Sequence, residues 1–208
     1  TIHRPFLEAA REAGIPTVVI NDFEPGFTGN IIYGDNRSGV SQSLRHLKNT
    51  GRTQVGMLHA PDDASIDSRE RYKLWQELLG QYELKADPAH YRKCDYYFEE
   101  DGYLKMMDIL QNSKTLPQAM LCFNDDIALG ALRALKESGI MCPGQVAVIG
   151  YDGIFKGKVV EPSLTTVSQP LETMGAEMVR TIIGLVEGQL EGPVQKKFSP
   201  ELVIRRSC

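Results

Sequence analysis

The sequence predicts an α/β fold of mostly parallel strands covered by helices. Three observations carry this prediction. Apolar runs of strand length alternate with segments of helical period. Glycine and proline punctuate the ends of the later helical segments. Hydrogen-bonding or aromatic residues follow the apolar runs directly, where an open α/β sheet gathers its loops.

A helix is expected from Arg4 to Glu12, then the strand candidates PTVVI and NIIYG, then a helix from Asn36 to Asn49. From Gln54 onward the alternation is regular. It reads as strand QVGMLH, helix Asp67 to Leu79, a short strand near Cys94 to Tyr97 with its helix, strand QAMLCF, helix Asp125 to Ser138, and strand QVAVIG. Gly139 and Pro143 close the Asp125 helix. A last helix opens at Pro170 and runs to about Glu187, with Gly188 beyond it. Its Leu171, Met174, Met178, Val179, Ile182 and Val186 share one face, expected to pack on a sheet. Gln54 to Gly150 makes one complete doubly wound unit. Only two strand candidates precede it, too few for a well-covered second sheet, so the opening lobe reads as incomplete.

Composition narrows the partners. At 208 residues the chain is long enough for a real core in one or two domains. Lys and Arg total 23 against 27 Asp and Glu, with no basic block to grip nucleic acid. Cys94, Cys122, Cys142 and Cys208 show no CxxC pairing, so no metal is expected, and reduced thiols in the cytoplasm are the plainer reading. No apolar run approaches the ~20 residues of a membrane span. The usual nucleophile-elbow, phosphate-loop, dinucleotide and zinc-protease motifs are missing, so no enzyme and no cofactor are expected.

The residues that follow the strands are the candidate site. Asp35 and Asn36 follow NIIYG, Asn124 and Asp125 follow QAMLCF, and Tyr151 and Asp152 follow QVAVIG. Such residues also cap helices, at roughly 1 kcal/mol each, so either role is open at a single position. Capping is preferred for Asp125 and Asp126, ligand binding for Asn124 and Asp152. Arg71 lies near the start of a helix, where a cation opposes the dipole. With Asp152 and the face of Tyr97 it would suit a polyol or sugar. A surface ion pair of Arg71 with Glu70 or Glu99 is the alternative. Trp75 shares a helix face with Leu78 and Leu79 and reads as core.

The stretches AMLCFNDDIALGALRALKESGI, QVAVIGYDG, EPSLTTVSQPLETMG and SPELVIRRSC follow one another in an order and spacing that resemble one family. It is the effector-binding domain of the lactose-repressor and galactose-repressor family of bacterial transcription regulators. DNRSGVSQSLRHLKNTGRTQVGMLHAP fits the same pattern, so the resemblance covers the chain from about Gly14 onward. It implies a periplasmic-binding-protein-like architecture of two Rossmann-like lobes joined by three crossovers. One lobe would hold residues 1–50 and 170–198, lacking its opening strands, and the other residues 51–169 and 199–208. It implies a small-molecule effector, a sugar or related metabolite, held by Arg71, Tyr97, Asn124, Asp152 and Gln169. Leu74 stands where the family has Gly, and Gly153 where it has a second Asp. DNA would be bound only through a domain outside this chain. Leu129 points about 130° away from the face of Ile127, Ala128, Ala131, Leu132 and Leu135, at 100° per residue. The resemblance implies a homodimer with Leu129 buried between subunits. The rival reading is a periplasmic sugar-binding protein serving a transporter.

Overall fold

The computed structural model describes residues 4–21, 26–61, 65–190 and 192–208. Helix α1 (Arg4–Glu12) precedes strands β1 (Val19–Ile20) and β2 (Ile31–Gly34), and α2 (Asn36–Asn49) follows. Then come β3 (Val55–His59), α3 (Ile66–Leu79), β4 (Tyr91–Lys93), α4 (Glu99–Asn112), β5 (Ala119–Cys122), α5 (Asp125–Glu137) and β6 (Ala147–Asp152). The short α6 (Lys156–Val159) leads to β7 (Thr165–Ser168), α7 (Leu171–Val186), β8 (Gln195–Phe198) and β9 (Glu201–Val203).

The strands form two sheets, ordered β1-β2-β8 and β4-β3-β5-β6-β7-β9. Among the described residues all strand pairs are parallel except β7 with β9. In the larger sheet successive side chains alternate faces. Leu58, Met120, Cys122 and Val148 share one core with Met106 and Ile109 of α4 and Ile127, Ala131 and Leu135 of α5. Met57, Ala119, Leu121 and Ile149 share the other with Val40, Leu44 and Leu47 of α2 and Leu74, Trp75 and Leu78 of α3. Helices on both faces explain why these strands read as unbroken apolar runs.

Four expectations change on folding. Helix α2, grouped in sequence with the smaller lobe, lies on the larger sheet: its apolar stripe joins that core, and Gln42 bonds Pro200 O and Leu202 N beside β9, at 2.9 and 3.0 Å. The strand placed near Cys94 to Tyr97 is Tyr91–Lys93 instead, because Asp101 Oδ1 accepts from Tyr96 N and turns the chain toward α4. In α7, Leu171, Val179 and Val186 are exposed while Met174, Thr181 and Gly184 are buried, since the three-stranded sheet covers only a narrow stripe. Leu129 is 4% exposed within the single chain.

That burial takes no partner subunit, because α4 covers the second face of α5. The two helices meet backbone to backbone at glycines. A Cβ at Gly102 would overlap the Ile127 carbonyl oxygen and lie 2.7 Å from Ile127 Cα. One at Gly130 would overlap the Glu99 carbonyl oxygen and lie 2.5 Å from Tyr103 N.

Candidate ligand-binding site

The larger sheet winds outward in both directions from the β3/β5 pair, with β4 on one side and β6 and β7 on the other. Its switch point lies between the carboxyl ends of β3 and β5, where an open α/β sheet leaves a crevice. Arg71 of α3 bridges this point. Its Nε donates to Asn36 Oδ1 and its Nη1 to the Phe123 carbonyl just past β5, both at 2.9 Å. The guanidinium carbon sits 3.5 Å from the Tyr151 ring centroid and 4.8 Å from that of Phe123. Asp67 Oδ2 lies 3.6 Å and Asp152 Oδ1 3.8 Å from its terminal nitrogens. Arg71 is thus buried with its guanidinium over two rings, an environment better suited to the weakly hydrated guanidinium than to an ammonium. Glu70 accepts from Asn36 Nδ2 instead, and Glu99 pairs with Lys156 and Arg133.

Asp152 ends β6 with φ of 111°, a conformation that side-chain-bearing residues rarely adopt. Burial pushes its carboxyl above the usual value, while Arg71 and Gln169 act in the other direction. The carboxylate thus combines a rarely adopted backbone conformation with partial desolvation at a strand end. Its Oδ1 accepts from Gln169 Nε2 at 2.9 Å. Gln169 Oε1 in turn accepts from Asn21 Nδ2 at 3.3 Å, at the end of β1 in the smaller sheet. The cluster therefore reaches from one sheet to the other.

Asn124 and Asp125 divide their roles differently from the sequence reading. Asn124 is the N-cap of α5: in extended conformation, its Oδ1 accepts from Ile127 N at 2.8 Å. Its Nδ2 donates to the Tyr97 carbonyl at 2.9 Å, so the side chain positions the Tyr97 loop. Asp125, fully buried, accepts from Thr166 Oγ1 at 2.5 Å and Ile154 N at 2.8 Å, tying α5 to β7 and to the turn after β6. Asp126 stays in the first turn, where a carboxylate suits the dipole.

Burial raises the Asp125 carboxyl from 3.8 to about 6. A folded-state pKa above the unfolded one means that the stability this group contributes is fully present below pH 3.8 and is lost as pH rises through about 6. About two units at about 1.4 kcal/mol each make this on the order of 3 kcal/mol. Asp125→Asn keeps an acceptor for Ile154 N and gains a donor toward Thr166 Oγ1. It is expected to remove most of the decline in stability between pH 4 and 7, read as urea midpoints of both proteins. Parallel declines would refute the assignment.

Tyr97 is 47% exposed in the β4–α4 loop, its ring 4.8 Å from that of Phe98. Trp75 is core, stacked on Tyr72. Beside the cluster, sharing Asn36 as a wall, lies a cavity of about 440 Å³ bounded by Tyr33, Asp35, Arg37, Glu70 and Lys197. The structure brings Arg71, Asp152 and Gln169 together, and Asn21, which the sequence did not single out, joins them. The rule applied in sequence to the other strand ends, carried to PTVVI, would have found it. Among the described residues no His, Cys, Asp and Glu cluster is arranged to hold a metal, and no helix is long and apolar enough to cross a membrane.

Two parallel-stranded sheets, with the chain passing between them three times and polar strand ends where they meet, form the class of periplasmic-binding-protein-like folds. Residues 44–208 match the family described as periplasmic binding protein-like domain, and the chain belongs to it, in the branch of the lactose- and galactose-repressor effector domains. It is 31% identical over 192 residues to the HTH-type transcriptional regulator GalR of Escherichia coli (strain K12), covering 91% of this chain and 54% of the relative. With the HTH-type transcriptional repressor PurR of Actinobacillus pleuropneumoniae serotype 3 (strain JL03) it shares 29% over 206 residues, 98% of this chain and 60% of the relative. The chain thus spans little more than half the length of these curated relatives, which are transcription regulators by name and not enzymes. Among solved structures, the transcriptional regulator CelR–cellobiose complex superposes with a TM-score of 0.88 at 28% identity, covering 98% of this chain and 62% of that one. The Lac repressor bound to ONPG gives 0.86 at 26%, covering 98% and 60%.

Proposed function

We propose that this chain is the effector-sensing part of a bacterial transcription regulator of the repressor type. A small sugar or related metabolite binds between two lobes, against Arg71, Tyr97, Asp152 and Gln169, while Asn124 holds the Tyr97 loop. Binding alters lobe closure and, through it, the DNA affinity of a separate domain in a cytoplasmic homodimer. The effector does this only by preferring one arrangement of the lobes over the other. The observation that carries the reading is the 3.8 Å gap between Arg71 Nη1 and Asp152 Oδ1. It is too long for a hydrogen bond and fits one hydroxyl that accepts from the guanidinium and donates to the carboxylate. The exposed Tyr97 ring suits the CH face of a sugar. The names of the relatives support the regulatory role, and the cellobiose of the CelR complex supports a saccharide.

The first lobe boundary belongs at Asp35 rather than Gly51, because α2 shares the core of the larger sheet. Among the described residues, one lobe then holds those up to Asp35 and within 170–198, the other those within 36–169 and 199–208. Calorimetric titration with neutral mono- and disaccharides and nucleosides tests the site. Asp152→Ala is expected to weaken any binder about tenfold or more, the cost of one charged hydrogen bond, with the circular dichroism unchanged. Equal affinity in the variant sinks the assignment.

A further inference from the structure

Building on that reading, we propose that Asn21 is a further positioning residue of the site. It acts through Gln169 on Asp152, and the three side chains form a directional latch between the two sheets. Gly34 N donates to Asn21 Oδ1 at 2.9 Å, Asn21 Nδ2 to Gln169 Oε1 at 3.3 Å, and Gln169 Nε2 to Asp152 Oδ1 at 2.9 Å. Every link runs the same way and ends on a carboxylate, which only accepts. The charge of Asp152 therefore fixes which end of the Gln169 amide faces it. The other end, a carbonyl, then requires a donor at position 21. Asn21 has that donor, because its own oxygen is already held by Gly34 N. Its φ of 57° lies in the left-handed region that Asn tolerates.

The smaller sheet approaches this chain closely. A Cβ at Gly34 would lie 2.9 Å from Gln169 Oε1, so the amide rests on bare backbone at the end of β2. A ligand hydroxyl or ammonium that donates to Asp152 Oδ1 competes with Gln169 Nε2. Losing that anchor, Gln169 no longer orients Asn21, and the end of β2 is released. Occupancy at Asp152 is in this way coupled to the angle between the sheets, as any ligand-driven shift requires.

Reversing the polarity tests the latch without any ligand. Asn21→Asp puts an acceptor-only group at the near end, so Gln169 cannot satisfy both neighbours, and the thermal midpoint is expected to fall by about 4–8 °C. Asp152→Asn alone accepts either direction and keeps Asp67 beside Arg71, so its midpoint is expected to fall less than that of Asn21→Asp. In the double variant both side-chain links run backward while Gly34 N still donates to residue 21: the amide at position 152 donates to Gln169 Oε1, and Gln169 Nε2 donates to the carboxylate at position 21. The double variant is expected to recover most of the loss. Salt screens direct repulsion between the carboxylates only partly at a partly buried site, so the Gln169→Ala background separates that repulsion from the latch. A double variant no more stable than Asn21→Asp alone overturns the proposal. Recovery that persists after Gln169→Ala is added overturns the path through Gln169. Sugar titration judges the effector reading separately, so the two fail independently.

Discussion

Gly130→Ala is expected to destabilise the chain severely, lowering the thermal midpoint by about 6–12 °C, which corresponds to about 3 kcal/mol for a chain of this size. In a helix interior the same exchange ordinarily gains up to about 1 kcal/mol from propensity. Here the new Cβ meets the Glu99 carbonyl oxygen and the Tyr103 amide nitrogen, both backbone atoms of α4. Backbone cannot step aside as a flexible side chain does, so α4 and α5 must separate and loosen the core around Ile127 and Met106. Overpacking of about 1–3 kcal/mol or more outweighs the propensity gain. Gly175→Ala supplies the contrast, because nothing lies within 4 Å of its added Cβ on α7. That variant is expected to melt at or a few degrees above the parent. Equal midpoints for the Gly130 variant and the parent would show that the helices do not meet as closely as described.

Arg71→Ala is expected to cost about 3–5 kcal/mol, the usual loss when one partner of a buried ion pair is removed. The variant leaves the Phe123 carbonyl without its donor, Asn36 Oδ1 with only the Tyr151 hydroxyl at 3.3 Å, and Asp67 and Asp152 without their cation. It also opens a gap between the Tyr151 and Phe123 rings. Arg71→Lys is expected to recover only part of this, because an ammonium cannot fill a flat slot or donate along two fixed directions at once. Denaturant midpoints of the two variants check the order. A lysine variant as stable as the parent would mean that charge alone, not the guanidinium plane, holds the switch point together.

These two residues also show what the sequence does and does not disclose. The doubly wound unit from Gln54 to Gly150 was legible because its strands are buried on both faces and stay apolar throughout. The short β4 was displaced in the reading because Tyr96, Tyr97 and Phe98 resemble strand residues yet face solvent in a loop turned by Asp101. Leu129 looked outward because helical period describes one buried face, whereas α5 is covered on two, and the glycines that permit this act between two helices, which the period of a single helix does not register. In the site, Arg71 and Asp152 stood out by the chemistry of their positions. Asn124 did not reveal whether its amide served ligand or helix, since capping and ligand binding ask for the same residue type. In the structure its Oδ1 caps α5, and Asp125 is the buried acceptor. Asn21 was obscured by the shortness of β1, only Val19 and Ile20, which leaves little pattern to announce a strand end.

Ligand-driven rearrangement of the lobes is the centre of this account, and small-angle scattering on the protein with and without a saturating saccharide identified by titration measures it most directly. The account predicts a smaller radius of gyration in the bound state, and for Asp152→Ala the same change displaced to about tenfold or more higher saccharide concentration. Superimposable profiles for the free and bound protein, with binding established by calorimetry in the same samples, would contradict it.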